Sequence, residues 1–95
     1  LDAISDFNKA IELNPEYALP YNNRAYIKII LEDYSGALDD SNKAINLNLE
    51  YEDAYFNRGV AKMNLAELKG ACKDWKRAAD LGDQDAPQVI EENCK

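Results

Sequence analysis

The sequence predicts an all-α solenoid of antiparallel helix pairs. Three observations carry that prediction: an internal period of 34 residues, apolar spacing of three and four within each period, and turn formers where that spacing lapses. Sliding the chain against itself by one period aligns Ala3, Ala37 and Ala71, then Ala10, Ala44 and Ala78, then Leu13, Leu47 and Leu81, with no insertion. Tyr17 and Tyr51, Tyr21 and Tyr55, Asn23 and Asn57, Arg24 and Arg58, and Gly36 and Gly70 also pair. A period of this length marks stacked supersecondary units, each unable to bury its apolar face without a neighbour.

Within a period the spacing is helical, as in Ala37, Ser41, Ala44, Ile45 and Asn48, or Tyr55, Gly59, Lys62 and Met63. It lapses at Asn14-Pro15, Glu32-Asp33, Asn48-Leu49, Ala66-Glu67 and Gly82-Asp83, where helix stops and turn residues cluster. Six helices are therefore expected, at roughly 1–13, 17–31, 35–48, 52–65, 69–81 and 86–94. For the last of them, Asp85 with Gln88 suggests a capping box, and Pro87 suits a first turn because its missing N–H is not needed there. Gly82 can take the left-handed conformation after Leu81.

This pattern resembles the tetratricopeptide repeat, in which helix pairs carry small and aromatic residues at fixed places and close on a proline. The likeness covers nearly the whole chain. Residues 1–16, with Ala3, Phe7, Ala10 and Pro15, look like the second helix of a truncated repeat. Residues 17–50 and 51–84 look like full repeats, and 85–95 like a closing helix, together one domain. The resemblance implies a right-handed superhelix in which Ala25, Ala37, Gly59 and Ala71 let backbones approach, while Tyr21, Tyr55 and Trp75 fill the space between helices.

Some positions depart from the family pattern. Arg24 and Arg58 stand in a usual leucine place. Lys28 and Lys62 stand in a usual tyrosine place, so their stems should pack while their charges reach solvent. Ser41 stands where Phe7 and Trp75 stand in the flanking units, which predicts looser packing in the middle repeat. Leu49 replaces the proline found at Pro15, which predicts a less rigid turn. Trp75 is expected between the fifth and last helices.

The family commonly binds peptide segments in a concave groove lined by the first helix of each pair. Carried onto this chain by helical spacing, that face presents Asn22, Asn23, Tyr26, Asp53, Phe56, Asn57 and Val60 as candidate ligand-binding residues, with Leu19, Ile30 and Asn64 on the same face. Asparagine offers a donor and an acceptor to a peptide backbone, and Tyr26 and Phe56 offer apolar area to anchor a side chain. One subset of the family clamps a C-terminal carboxylate with lysine, arginine and asparagine. Here the face carries no lysine or arginine, and Asp53 opposes a carboxylate, so a neutral or basic peptide is the expected partner. A spacer role, or self-assembly through an uncovered first helix, is the alternative.

Composition narrows the field further. The 95 residues carry a net charge of −7, with 18 acidic against 11 basic side chains. That lacks the basic stripe that pentatricopeptide-type RNA binding or an anionic membrane surface requires, so neither nucleic acid nor membrane is expected as a partner. There is no histidine, so nothing assembles a base, a nucleophile or a zinc set, and neither an enzyme nor a cofactor or metal site is expected. Asp80, Asp83 and Asp85 have the wrong spacing for a calcium loop and read as capping residues. Asp39-Asp40 and Glu91-Glu92 diverge on their helices and read as solvated surface. Cys72 and Cys94 read as packed thiols without a role, which leaves a reducing, cytoplasmic location as the expectation. The chain opens on Leu1 inside a helical pattern, as a piece of a longer protein would.

Overall fold

A computed structural model describes residues 3–95. Its six helices are α1 (Ala3–Leu13), α2 (Ala18–Ile30), α3 (Tyr34–Leu47), α4 (Glu52–Asn64), α5 (Leu68–Asp80) and α6 (Ala86–Asn93). Each begins and ends within two residues of its expected place. Residues 1 and 2, which the expected first helix includes, lie outside the described residues. Each helix packs on the next in sequence, and α2 also meets α4 directly, so the first helices of the two full pairs lie side by side.

The hairpin turns repeat as faithfully as the helices. Glu32, Ala66 and Gly82 each follow a helix with positive φ. The next residue in each case sends its N–H back five residues, from Asp33 to Lys28, from Glu67 to Lys62 and from Asp83 to Ala78, at 2.8, 2.8 and 2.9 Å. These are left-handed closures that use up helix-end carbonyls; only Gly82 adopts that backbone without a Cβ penalty. The turns between pairs are also matched. Asn14 and Asn48 each accept the N–H two residues on, and the hydroxyls of Tyr21 and Tyr55 donate to the carbonyls of Pro15 and Leu49, both at 3.0 Å. The turn at Leu49, expected to be less rigid, is therefore tied by the same tyrosine bond as the turn at Pro15.

Small residues allow the close approach. Ala25, Ala37 and Ala61 form one fully enclosed cluster, and Tyr21, Tyr55, Ala44, Ile45, Ala54, Ala78 and Ala86 form another. Trp75 is 1% exposed. It lies against α4: its indole N–H donates to the Phe56 carbonyl at 3.2 Å, and a Cβ on Gly59 would run into the ring. The ring needs the bare backbone that only glycine offers, which draws it to α4. The start of α6 differs from expectation. Asp85 makes no side-chain cap; the carboxylate of Asp83 accepts the N–H groups of Asp85 and Ala86, because it sits ahead of the turn and faces them.

Three polar expectations are overturned by burial. Asp40 is 4% exposed, not solvated, and so is Asp74 one period later. Arg24 grips Asp40 through both arms of its guanidinium, at 2.7 and 2.6 Å, and Arg58 grips Asp74 at 2.9 and 2.8 Å. The ammonium groups of Lys28 and Lys62 close on the same carboxylates at 3.0 and 3.1 Å, so their charges point into the fold. A buried carboxylate needs such partners, and two cations on one helix turn supply them. Each arginine also reaches back 16 residues to the previous unit, Arg24 to Asn8 and Arg58 to Asn42, so a polar ladder ties repeat to repeat. The bidentate bonds to Asp40 and Asp74 hold both guanidinium groups charged and raise their pKa values. Finally, Cys72 and Cys94 are joined by a disulfide across 22 residues, with Cα atoms 5.7 Å apart. It staples the end of α6 to α5, and closing a loop of that length contributes roughly 3 kcal/mol. The cytoplasmic expectation rested on unpaired thiols and loses that support.

Candidate functional site

The sites offered by α2 and α4 follow from their packing. Their inner faces cannot both pack on α3 and α5 and also cover each other, so a strip of each is left facing open space. Between them is a cleft of about 290 Å³ lined by Asn22, Asn23, Tyr26, Asp53, Phe56, Asn57, Asp83 and Asp85. Six of the seven candidate residues thus meet in one place. Val60, the seventh, is half-buried one turn further along α4 and does not line the cleft. Asp83 and Asp85, which sequence spacing marks only as capping residues, complete the lining. The turn carrying them folds back over the start of α4, a contact between residues 30 apart that helical spacing does not report.

The side chains divide by role. Asn22 and Asn57 are both buried, and the Asn57 amide donates to the Asn22 carbonyl oxygen at 2.9 Å. That bond joins α2 to α4 and is part of the wall. Burial raises the Tyr51 pKa, and a hydrogen bond donated by the Asn22 amide to the phenol oxygen, which favours ionisation, offsets part of that rise. Tyr26 is 54% exposed, and Asn23 and Phe56 are half-buried, so these three remain free to meet a ligand. Leu19 and Ile30 extend the exposed apolar strip along α2.

The cleft is acidic. Loss of hydration raises the Asp53 pKa first, and repulsion from Glu52, Asp83 and Asp85 adds to it. No lysine or arginine lines the cleft, and the four cations of α2 and α4 that could have answered this charge are held on Asp40 and Asp74. The arrangement can bind a chain through amide and aromatic contacts and favours positive charge near Asp53. Among the described residues no group of three or more potential metal ligands converges, and no helix is long and apolar enough to cross a membrane.

No family model matches the sequence, and no curated protein does either. Solved structures do. The first TPR of Spaghetti (RPAP3), solved with the HSP90 peptide SRMEEVD, matches with a TM-score of 0.91 at 29% identity, over 96% of this chain and 74% of that one. The Arabidopsis OM64 TPR domain matches with a TM-score of 0.92 at 28% identity, over 96% of this chain and 77% of that one. The second TPR domain of human RPAP3, in complex with the HSP70 peptide SGPTIEEVD, matches with a TM-score of 0.89 at 28% identity, over 97% and 78%. With the period of 34 residues, the six paired helices and these likenesses on nearly its full length, the chain has the fold of the tetratricopeptide-repeat domains and is similar to them in sequence.

Proposed function

We propose that this chain is a protein-interaction module that holds a peptide segment of a partner in the cleft between α2 and α4, and that the segment is neutral or basic. The observation that carries the reading is the cleft itself, where Asn23, Tyr26 and Phe56 stand open beside Asp53, Asp83 and Asp85. Peptide binding is supported by the RPAP3 domains, which hold HSP90 and HSP70 peptides. Those peptides end in Glu-Glu-Val-Asp and are acidic. Three carboxylates in the present cleft disfavour that charge, so the binding mode is shared while the ligand chemistry differs.

The test is residue-resolved NMR titration of the 15N-labelled chain with two peptides of equal length, one rich in lysine and leucine, the other SRMEEVD. Saturable shifts at Asn23, Tyr26 and Phe56 with the basic peptide, weakened about tenfold or more by Tyr26→Ala with Asp53→Lys, are expected. Equal or tighter binding of SRMEEVD at those residues overturns the charge assignment, and no shift there with any peptide overturns the groove. Asn57 is left intact in these variants because its bond to Asn22 holds the wall together.

A second reading rests on α1, which has no fully buried residue and leaves Leu13 77% exposed. Its apolar strip suits self-association. A mass that rises with concentration in sedimentation, and falls back with Phe7→Glu, supports it; a monomer at every concentration rules it out.

A further inference from the structure

We infer that the outer face of α5 carries a second docking surface, for an acidic segment of a partner protein. It is a groove of about 750 Å³, more than twice the cleft between α2 and α4. Its floor is apolar, formed by Leu68 and the Cys72–Cys94 disulfide, and Lys69, Lys73, Lys76 and Lys95 stand around it. All four lysines are exposed.

The internal repeat separates what packing requires from what it does not. Lys69, Lys73 and Lys76 stand one period after Ser35, Asp39 and Asn42, none of them cationic. Asn42 accepts a bond from Arg58 of the next helix pair, a role an ammonium group cannot fill. The lysines are therefore not a part of the repeating scaffold. Their spacing of four and three places them within about 60° on one helix face.

The rest of the chain's charge sharpens the point. Of its 11 lysines and arginines, four are held by Asp40 and Asp74, and Arg77 lies over the Tyr55 ring. The four at the groove have no ion pair among the described residues. Like charges gathered around an apolar floor repel one another and are stabilised by an anionic occupant. In a protein of net charge −7 such a patch also selects for an acidic partner and steers its approach. The fitting ligand has carboxylates to reach the lysines and at least one aliphatic side chain to cover the disulfide and Leu68.

The assignment does not rest on the cleft between α2 and α4, and the two surfaces are told apart by where shifts fall. The probe is the acetylated heptapeptide EDLEELD, titrated into the labelled 95-residue chain. Shifts are expected at Lys69, Cys72, Lys73 and Lys76, with affinity falling at least about tenfold in Lys69→Glu with Lys73→Glu and falling again as salt screens the pairs. Lys69→Gln with Lys73→Gln removes the charge without reversing it and should weaken binding by a smaller factor, while the far-UV spectrum of both variants stays unchanged. Shifts confined to Tyr26 and Phe56, unaltered affinity in the charge-reversed variant, or displacement of the peptide by an equal concentration of oligouridylate would each overturn the proposal.

Discussion

The two full repeats use the same polar parts and fill the space between their helices in opposite ways. In 17–50 and in 51–84 an arginine lies over the tyrosine three residues before it, at 5.9 Å for Arg24 on Tyr21 and 5.5 Å for Arg58 on Tyr55. In both it grips a buried aspartate sixteen residues on. Between the helices, however, the second repeat sets Trp75 against Gly59, whereas the first has Ser41 and Ala25 at the equivalent positions. The small residue follows the size of its partner. The indole requires a bare backbone opposite it, and where the large residue is absent the small one gains a methyl. Conservation of a fold between repeats therefore resides in polar geometry, not in the identity of any one core residue.

Substitutions can break this comparison at four levels. Trp75→Ala should destabilise the chain by about 3–5 kcal/mol, since the ring is fully enclosed; denaturation in urea measures it, and a loss of under about 1 kcal/mol would mean that the second repeat does not depend on its aromatic. Asp74→Ala and Asp40→Ala should each cost about 3 kcal/mol, by leaving an arginine and a lysine without their shared carboxylate. Equal losses from the two would confirm that the polar ladder is the common part of the repeats; a large loss from one alone would make it local.

Ser41→Ala has the opposite sign. The Ser41 hydroxyl is enclosed and has no hydrogen-bond partner among the described residues, so its removal should stabilise the chain by about 1 kcal/mol. Thermal melting detects that gain, and a loss instead would reveal a bond that this packing does not provide. The smallest effect concerns pH. The Asp53 pKa is raised in the folded chain, so ionised Asp53 is slightly unfavourable there; its contribution to stability is present at low pH and lost as pH rises through the raised value. Asp53→Asn should therefore raise the melting temperature by about 2 °C at neutral pH and leave it unchanged near pH 3. A fall at neutral pH would show that the carboxylate is held by a favourable contact.

Much of the cleft between α2 and α4 was legible because helical spacing puts Asn22, Asn23, Tyr26, Asp53, Phe56 and Asn57 on one face, and adjacent repeats bring such faces together. Asp83 and Asp85 were not, since a turn folding back across a helix start leaves no periodic trace. The polar ladder did leave one. Asn8 and Asn42, and Asp40 and Asp74, recur one period apart in step with Arg24 and Arg58, and a recurring charge inside a repeat signals a buried pair.

The sequence by itself determined the period, the six helices, their breaks and the inner face, because these follow from local spacing and from turn chemistry that each segment carries alone. Only the tertiary structure decided that Asp40 and Asp74 are buried, that Trp75 turns to Gly59, and that Cys72 meets Cys94. Each of those is a meeting of residues at least twelve apart, set by which side chains fill the space left when the helices close on one another.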